Sequence, residues 1–515
     1  MSITATRARI GIAFCAFLFI LQAGFSARQK SLTWDEPTFI VSGLSYLHTG
    51  ELTLNTEAPP LPQFLAALPL LLLDLHPPDY ASDDFTPRTQ VRFARAFFTA
   101  NPDRVDVIAT LSRIPFWLAG AMIVWLIGSF AMRLMGPSAG VSSAIVASLS
   151  PNLIAHGRLA TSDALGALGM LAAVYAIHIV VRHPHWKGWM GAGALGATAV
   201  LAKFTALLLG PITAILLLVE VRRRTVSRRQ LLHAVAPFLA GALAVLTVGY
   251  LGEPWLIFKG LSRIYQNTTP GYQFYLLGQV YDHPVWYYYL AAAAIKTPLP
   301  TLVLLATGVW ILRDRGEARD VLLYCAVPFT ILMVVTAFDQ ANLGLRRILP
   351  AYPFAFVFLG VTGLAGACRP CRHLHLALLV GCALVAVSIY PNHLTYFNVM
   401  AGGPSRGPYL MDDSNVDWGQ NFPALSAWQR THHTHEPLKL FYFGTLPPEL
   451  YGIDHTPIPN DEIVSPQPGV YAVSAHQLVY IRKTARLAGA DVDWLDRFEP
   501  FDRLGGSIYL YRFPQ

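Results

Sequence analysis

Apolar runs long enough to form helices recur through the first three quarters of the chain, separated by short polar stretches rich in arginine. They cover residues 10–25, 107–132, 138–156, 163–181, 188–203, 204–220, 231–252, 285–312, 320–338, 347–366 and 374–390. A spanning helix needs ~20 apolar residues, and most of these runs approach that length. The first, Ile10 to Phe25, is flanked by Arg7 and Arg9 before it and Arg28 and Lys30 after it, and shows no small-residue cleavage signal. It is therefore expected to be a retained span with its amino end inside. The run Leu61 to Leu75 differs. It holds only about 15 residues, short of the ~20 required, and Pro59, Pro60, Pro62 and Pro69 fall in or beside it. Proline at that density breaks helical hydrogen bonding, so an interfacial or re-entrant segment is predicted there.

Beyond Tyr390 the pattern changes. Strand-like alternation occurs at Leu438 to Phe443, Gly469 to Ala475 and Ser507 to Phe513, and a helix is predicted over Ala424 to Arg430. The fold class read from the pattern is a polytopic α-helical membrane protein of about eleven transmembrane helices with a C-terminal extracytoplasmic α/β domain. Residues 1–390 form the membrane domain, with a first outer loop over 28–106, and residues 391–515 the outer domain.

Composition agrees: 54% of residues are hydrophobic, only 13% are charged, and the mean hydropathy is +0.42. The net charge of +7 does not indicate nucleic acid, because the basic residues fall in short clusters between apolar runs. Those clusters orient the chain. If residues 61–75 do not cross, Arg133, Arg182 to Lys187, Arg222 to Arg229, Arg313 to Arg319 and Arg369 to Arg372 all fall on the cytoplasmic side. If they did cross, Arg222, Arg223, Arg224, Arg228 and Arg229 would face outward, against the positive-inside bias. The expected topology places Asp35 and the carboxyl terminus outside. Cys15, Cys325, Cys368, Cys371 and Cys382 lie in or beside apolar runs, which argues against a disulfide framework. Cys368 and Cys371 with His373 and His375 have only a faint zinc-like spacing in a short loop.

On the outer face this topology gathers ionisable groups. Thr33-Trp34-Asp35-Glu36-Pro37 sets two carboxylates just after the first span. The plainer reading is a helix start, with Asp35 as N-cap and Pro37 in the first turn. Arg158 and Asp163 sit in the turn between two spans, Lys203 splits an apolar run, Lys296 lies in a segment that Pro298 and Pro300 should kink, and Arg346-Arg347 begin another span. Ionisable groups at membrane depth are costly and by default face a cavity and a partner. In the outer domain, Asp413, Asn415, Asp417, Trp418 and Gln420 belong to a run read either as an acceptor site or as a turn that docks the domain. It lacks the spacing of a calcium loop.

The acidic pair, Ala58-Pro59-Pro60-Leu61, Arg158 with Asp163, Asn342 to Pro350, and the run 413–420 together resemble the GT-C superfamily of membrane glycosyltransferases. The likeness is to its protein O-mannosyltransferase and lipid A aminoarabinose transferase group and to bacterial phospholipid-carrier-dependent members. It implies transfer of a sugar from a polyprenyl-phosphate donor to a protein, lipid or glycan acceptor at the outer face of the inner membrane, among membrane lipids and without nucleic acid. Asp35 is then the candidate base, Glu36 its neighbour and Asp163 a second carboxylate near the acceptor. Ala58 departs from the pattern, since many members have histidine there.

The chemistry stands without the family. A lipid phosphate is a good leaving group that needs cationic stabilisation, for which Arg158, Lys203, Lys296, Arg346 and Arg347 are the candidates. The acceptor hydroxyl needs a base, and one base with one displacement implies inversion. Asp35 beside Glu36 is expected to hold its proton more readily than a lone carboxylate. The sequence leaves a divalent cation open. Competing readings are a transporter with a polar midplane site and a non-enzymatic envelope assembly protein.

Overall fold

The computed structural model describes residues 4–266, 273–313, 318–367, 369–432, 438–488, 492 and 494–514. Helix α1 (Ala5–Ala27) starts at Thr4, whose hydroxyl accepts from the Arg7 N–H. A loop leads to α2 (Glu36–Thr49), which stops at Gly50 in the left-handed conformation that ends many helices. Helix α3 (Pro60–Ala67) continues as a 3-10 turn to Leu72 and is too short to span. It packs across α2 so closely that a Cβ on Gly43 would lie 1.9 Å from the Gln63 carbonyl oxygen. With α4 (Gln90–Ala100), these helices form a helical cap rather than a span.

The bundle continues with α5 (Val105–Met135), α6 (Pro137–Ser148), α7 (Pro151–Gly157), α8 (Ser162–Arg182), α9 (Trp186–Ala202), α10 (Leu209–Arg222) and α11 (Arg228–Gly249). There follow α12 (Leu256–Gln266), α13 (Tyr288–Lys296), α14 (Leu299–Leu312), α15 (Ala318–Val321), α16 (Val327–Ala337), α17 (Tyr352–Leu359) and α18 (Arg369–Ile389). Among the described residues eight helices are long and apolar enough to cross a membrane, and two bent pairs raise the number to ten. The remaining expected span is α9, at 17 residues. It is wedged between α8 and α11 by small residues: a Cβ on Gly193 would lie 2.0 Å from the Phe238 carbonyl oxygen. The kink expected at Pro298 and Pro300 is a 108° break between α13 and α14, because Pro298 holds Thr297 in extended backbone.

One helix relates the two ends of the bundle. Asp163 lies in the first turn of α8 and Arg182 in its last, about 30 Å apart at 1.5 Å per residue. Arg182 pairs at 2.5 Å with Asp320, which also holds Arg223 at 3.0 Å. The basic loops after α8 and α10 therefore share the end of the bundle opposite Asp163. Residues 314–317 of a further basic loop, and Cys368, lie outside the described residues.

The C-terminal part carries a five-stranded sheet of β3 (Leu438–Phe441), β4 (His455–Pro457), β5 (Gly469–Ser474), β6 (Asp502–Leu504) and β7 (Ile508–Phe513), in the order β4-β3-β5-β7-β6. Strand β3 runs parallel to β4 and β5, while β7 is antiparallel to β5 and β6. Helix α19 (Phe422–His432) buries Phe422, Leu425 and Trp428 against Leu438, Leu440, Ala472 and Leu510. The three expected strands and the expected helix are present. Strands β4 and β6, at three residues each, carry charged or proline residues and no alternation that would announce them. A short hairpin, β1 (Phe274–Leu276) with β2 (Gln279–Tyr281), touches Met411.

Candidate active site

The site is assembled on the loop between α1 and α2. Arg113, a single cation in the middle of α5, is buried and spends all five of its N–H donors there. It donates to the carbonyl oxygens of Ala27, Lys30 and Ser31 and to both carboxylate oxygens of Glu36, at 2.7 and 2.6 Å. Glu36 also accepts from the backbone N–H groups of Thr33 at 2.8 Å and Ala160 at 2.9 Å. Burial raises the Glu36 carboxyl, but the Arg113 charge and these donors overcome it and hold it below the ordinary range. Glu36 is thus a clamp that fixes the loop against α5 and the turn before α8.

Because Glu36 is turned inward, Asp35 points the other way. Asp35 stands at the N-cap position of α2, yet its side chain caps nothing. Its carboxylate pairs instead with Arg346 at 2.7 Å and keeps 28% of its side chain exposed. Burial raises its pKa, the Arg346 charge opposes, and the charges of Asp163 and Asp413 reinforce the rise, so the net direction is upward. The direction expected for Asp35 is present, but its source is not the adjacent glutamate. Arg113 neutralises Glu36, and the repulsion comes from residues more than a hundred positions away in sequence.

Asp163 forms a second ion pair, with Lys203 at 2.5 Å, and accepts from the Thr161 hydroxyl at 3.2 Å. Lys203 also reaches the Arg346 carbonyl oxygen at 3.4 Å, so the two pairs are side by side. The Arg346 guanidinium lies 4.3 Å from the centre of the Trp418 ring. Asp413 closes the group as a third carboxylate. It sits in the left-handed region at φ 58° and is half-buried, and its side chain accepts only from the N–H of Ser414 among the described residues.

Other predicted residues lie elsewhere. Lys296 is buried, with its ammonium on the carbonyl oxygens of Leu394, Tyr396 and Asn415 at 2.9, 3.0 and 2.5 Å. Its three donors are used, and none is left for a phosphate. Arg158 is buried behind the Glu36 clamp, bonded to the Ser26 hydroxyl and the Pro391 carbonyl oxygen. Arg347 diverges from Arg346 and pairs with Asp339 at 2.9 Å. In the run 413–420, Asn415 and the Trp418 and Gln420 carbonyls fasten the C-terminal part to the bundle, while Asp417 and the Gln420 side chain bond within the C-terminal part. Asn415 accepts from the Leu345 N–H and donates to the Tyr288 hydroxyl, Asp417 accepts from Gly419 and His476, and the Gln420 side chain closes its own turn on Trp418 and Val416. Ser31 and Trp34 donate backbone N–H groups to the carbonyl oxygens of Gln420 and Trp418, at 3.1 and 2.9 Å.

Sequence reasoning missed Arg113, although a lone arginine inside an apolar run is a signal of a buried partner. It also missed His476 and Lys483, which hold Asp412 at 2.8 and 2.7 Å. A small cavity of about 20 Å³ is lined by Tyr46, Asn55, Ala58, Gln63, Phe204, Tyr250 and Lys259, among others. The Gln63 Oε1 and Tyr250 hydroxyl are buried there and have no partner among the described residues. No group of three His, Cys, Asp or Glu side chains among the described residues is arranged to hold a metal ion.

Helices able to cross a membrane, two bent helix pairs and a C-terminal sheet define the class: a polytopic helical integral-membrane protein. Residues 107–250 match the family model described as Dolichyl-phosphate-mannose-protein mannosyltransferase. No curated protein matches the chain in sequence. Among solved structures, the chain is similar to ArnT from Cupriavidus metallidurans bound to undecaprenyl phosphate, at 10% identity over 98% of this chain and 99% of that one, with a TM-score of 0.49. The apo state of the same protein gives 12%, 98%, 98% and 0.49. The Archaeoglobus fulgidus oligosaccharyltransferase in complex with Zn and sulfate gives 12% identity over 83% of this chain and 56% of that one, with a TM-score of 0.40.

Proposed function

We propose that the chain is an integral-membrane glycosyltransferase that moves a sugar from a polyprenyl-phosphate donor to an acceptor hydroxyl on the outer face of the membrane, with inversion. The observation that carries this reading is the pair of adjacent ion pairs, Asp35–Arg346 and Asp163–Lys203, at the end of the bundle opposite the basic loops. The family match over residues 107–250 supplies the donor class, a sugar on a lipid phosphate. In this reading residues 1–390 form the transferase domain, with the first outer loop over 28–106, and residues 391–515 the outer domain.

Asp35 accepts the proton of the acceptor hydroxyl, and its raised pKa makes it a better base than an ordinary aspartate. The hydroxyl oxygen forms a bond to the anomeric carbon while the bond from that carbon to the phosphate oxygen breaks. The electron pair leaves with the phosphate, whose charge Arg346 and Lys203 neutralise. Arg158, Lys296 and Arg347 drop out as phosphate ligands because their partners hold them elsewhere. Asp163 keeps Lys203 in place and adds negative charge near Asp35.

The test is turnover by the purified protein in lipid nanodiscs, given a panel of labelled polyprenyl-phosphate sugars with protein, lipid and glycan acceptors. Release of polyprenyl phosphate with formation of an inverted glycosidic product is expected from at least one pair. Binding of donor without consumption of any, in protein shown to be folded, would instead favour the assembly reading.

A further inference from the structure

Trp418 belongs to the run after the last span, far in sequence from both members of the Asp35–Arg346 pair, yet it touches Arg346 and holds the residue next to Asp35. Its ring lies 4.3 Å under the Arg346 guanidinium, a distance at which the negative face of an indole attracts a cation. Its carbonyl oxygen accepts from the N–H of Trp34, the residue before Asp35, at 2.9 Å. The ring is itself held. It is buried, meets His156 edge to face at 6.3 Å, and packs with Ala155, Leu159 and Leu394. The backbone N–H of Trp418 donates to the Gln420 side-chain oxygen at 2.7 Å, which fixes the turn that presents the ring.

We infer that Trp418 is a positioning residue for the transfer reaction, setting the register of Arg346 against Asp35 through its ring on one side and its carbonyl on the other. This rests on the proposal that Asp35 is the base. The C-terminal part then completes the catalytic pair rather than only covering it. The physical need is plain: Arg346 must stay near enough to Asp35 to favour its ionised form, yet be free to face a phosphate. A hydrogen-bonding partner for Arg346 in place of the ring would compete for the donors the phosphate needs. A ring face holds the cation without using any N–H.

The charged groups facing Asp35 are Arg346, Asp163 and Asp413, with Lys203 and His156 around Asp163. Of these, Arg346 favours the ionised form of Asp35, and the two aspartates oppose it. If Arg346 drifts, the Asp35 pKa rises further and the acid limb of the rate profile moves to higher pH. A residue needed only for folding would lower the amount of active protein and leave that limb in place.

The experiment places ring-fluorinated tryptophans at position 418, which keep the shape of the indole while draining its negative face. In parallel, Trp418→Phe and Trp418→Met are measured for kcat, KM and the acid limb with a labelled polyprenyl-phosphate sugar. The acid limb is expected to climb stepwise with fluorine number. In Trp418→Met it should rise by about one pH unit as the arginine's hold loosens, with kcat down about 100-fold. Trp418→Phe should recover most of both. A limb and kcat indifferent to fluorination would overturn the inference, and the fluorinated series decides this even if the methionine variant does not fold. Should Asp35→Asn transfer normally, the base reading fails whatever Trp418 does; an inactive Asp35→Asn beside an indifferent Trp418 series sinks the positioning role alone.

Discussion

Asp35 and Glu36 are adjacent in the chain, but their carboxylates leave it in opposite directions, and Arg113 decides which goes where. A fully buried ion pair is costly to break from one side, because the partner is left charged and unpaired. Arg113→Met is therefore expected to destabilise the protein by about 3–5 kcal/mol. Adding Glu36→Gln should return part of that loss, measured as thermal unfolding in detergent. An additive double variant would contradict the clamp. The same logic separates the buried cations. Arg346→Ala should weaken donor affinity by about 1.5–3 kcal/mol, the range for a lost charge-assisted bond. Lys296→Met should lower thermal stability and leave donor affinity alone, since its ammonium holds three carbonyl oxygens. Equal losses of donor affinity in the two variants would return Lys296 to the phosphate site. At this scale the sequence made Asp35, Asp163, Lys203 and Arg346 visible as costly charges near one face. It could not separate them from Arg158, Lys296 and Arg347, because the carbonyl oxygens and the Asp339 carboxylate that meet those cations leave no mark on the residues themselves.

Among the elements, the run 412–420 has the most distinctive chemistry. Asp412 is buried between His476 and Lys483. Burial raises its carboxyl, but those two cations overcome the effect and hold it below the ordinary range. Burial lowers His476, and Asp412 more than offsets this, so its pKa lies above the ordinary 6.5. The signs differ. Stability from Asp412 is present above its unfolded pKa of 3.8 and is lost as the pH falls through its depressed folded value. That from His476 is complete below 6.5 and is lost as the pH rises through its raised folded value. Docking of the C-terminal sheet should therefore be firmest between these limits and loosen as the pH rises through the raised His476 value. Faster amide exchange over β5 and the helix Ala475–Ala488 would report it. His476→Gln should flatten the alkaline loss, and a pH-independent exchange rate in the native protein would contradict the coupling. The elements themselves were mostly legible: alternation marked β3, β5 and β7, and two prolines marked the break after α13. Strands β4 and β6 were not, because parallel pairing with β3 and antiparallel pairing with β7 create them.

At the scale of the molecule, the two ends of α8 carry opposite chemistry, paired carboxylates at one and arginine-rich loops at the other. We propose from the positive-inside bias that the basic end faces the cytoplasm. A cysteine at Ser227 should be shielded from impermeant thiol reagents in intact cells, and one at Ser465 should be labelled. The reverse pattern would invert the molecule and remove the outer-face reading. The central claim, that Asp35 takes the proton, is tested most directly by transfer from a labelled polyprenyl-phosphate sugar in Asp35→Asn. Asparagine preserves the shape and a hydrogen bond to Arg346 but cannot accept the proton. Transfer should fall by roughly 10² to 10⁴ while the fold and donor affinity survive. Transfer at a near-normal rate would contradict the account and move the search for the base to Asp163 and Asp413.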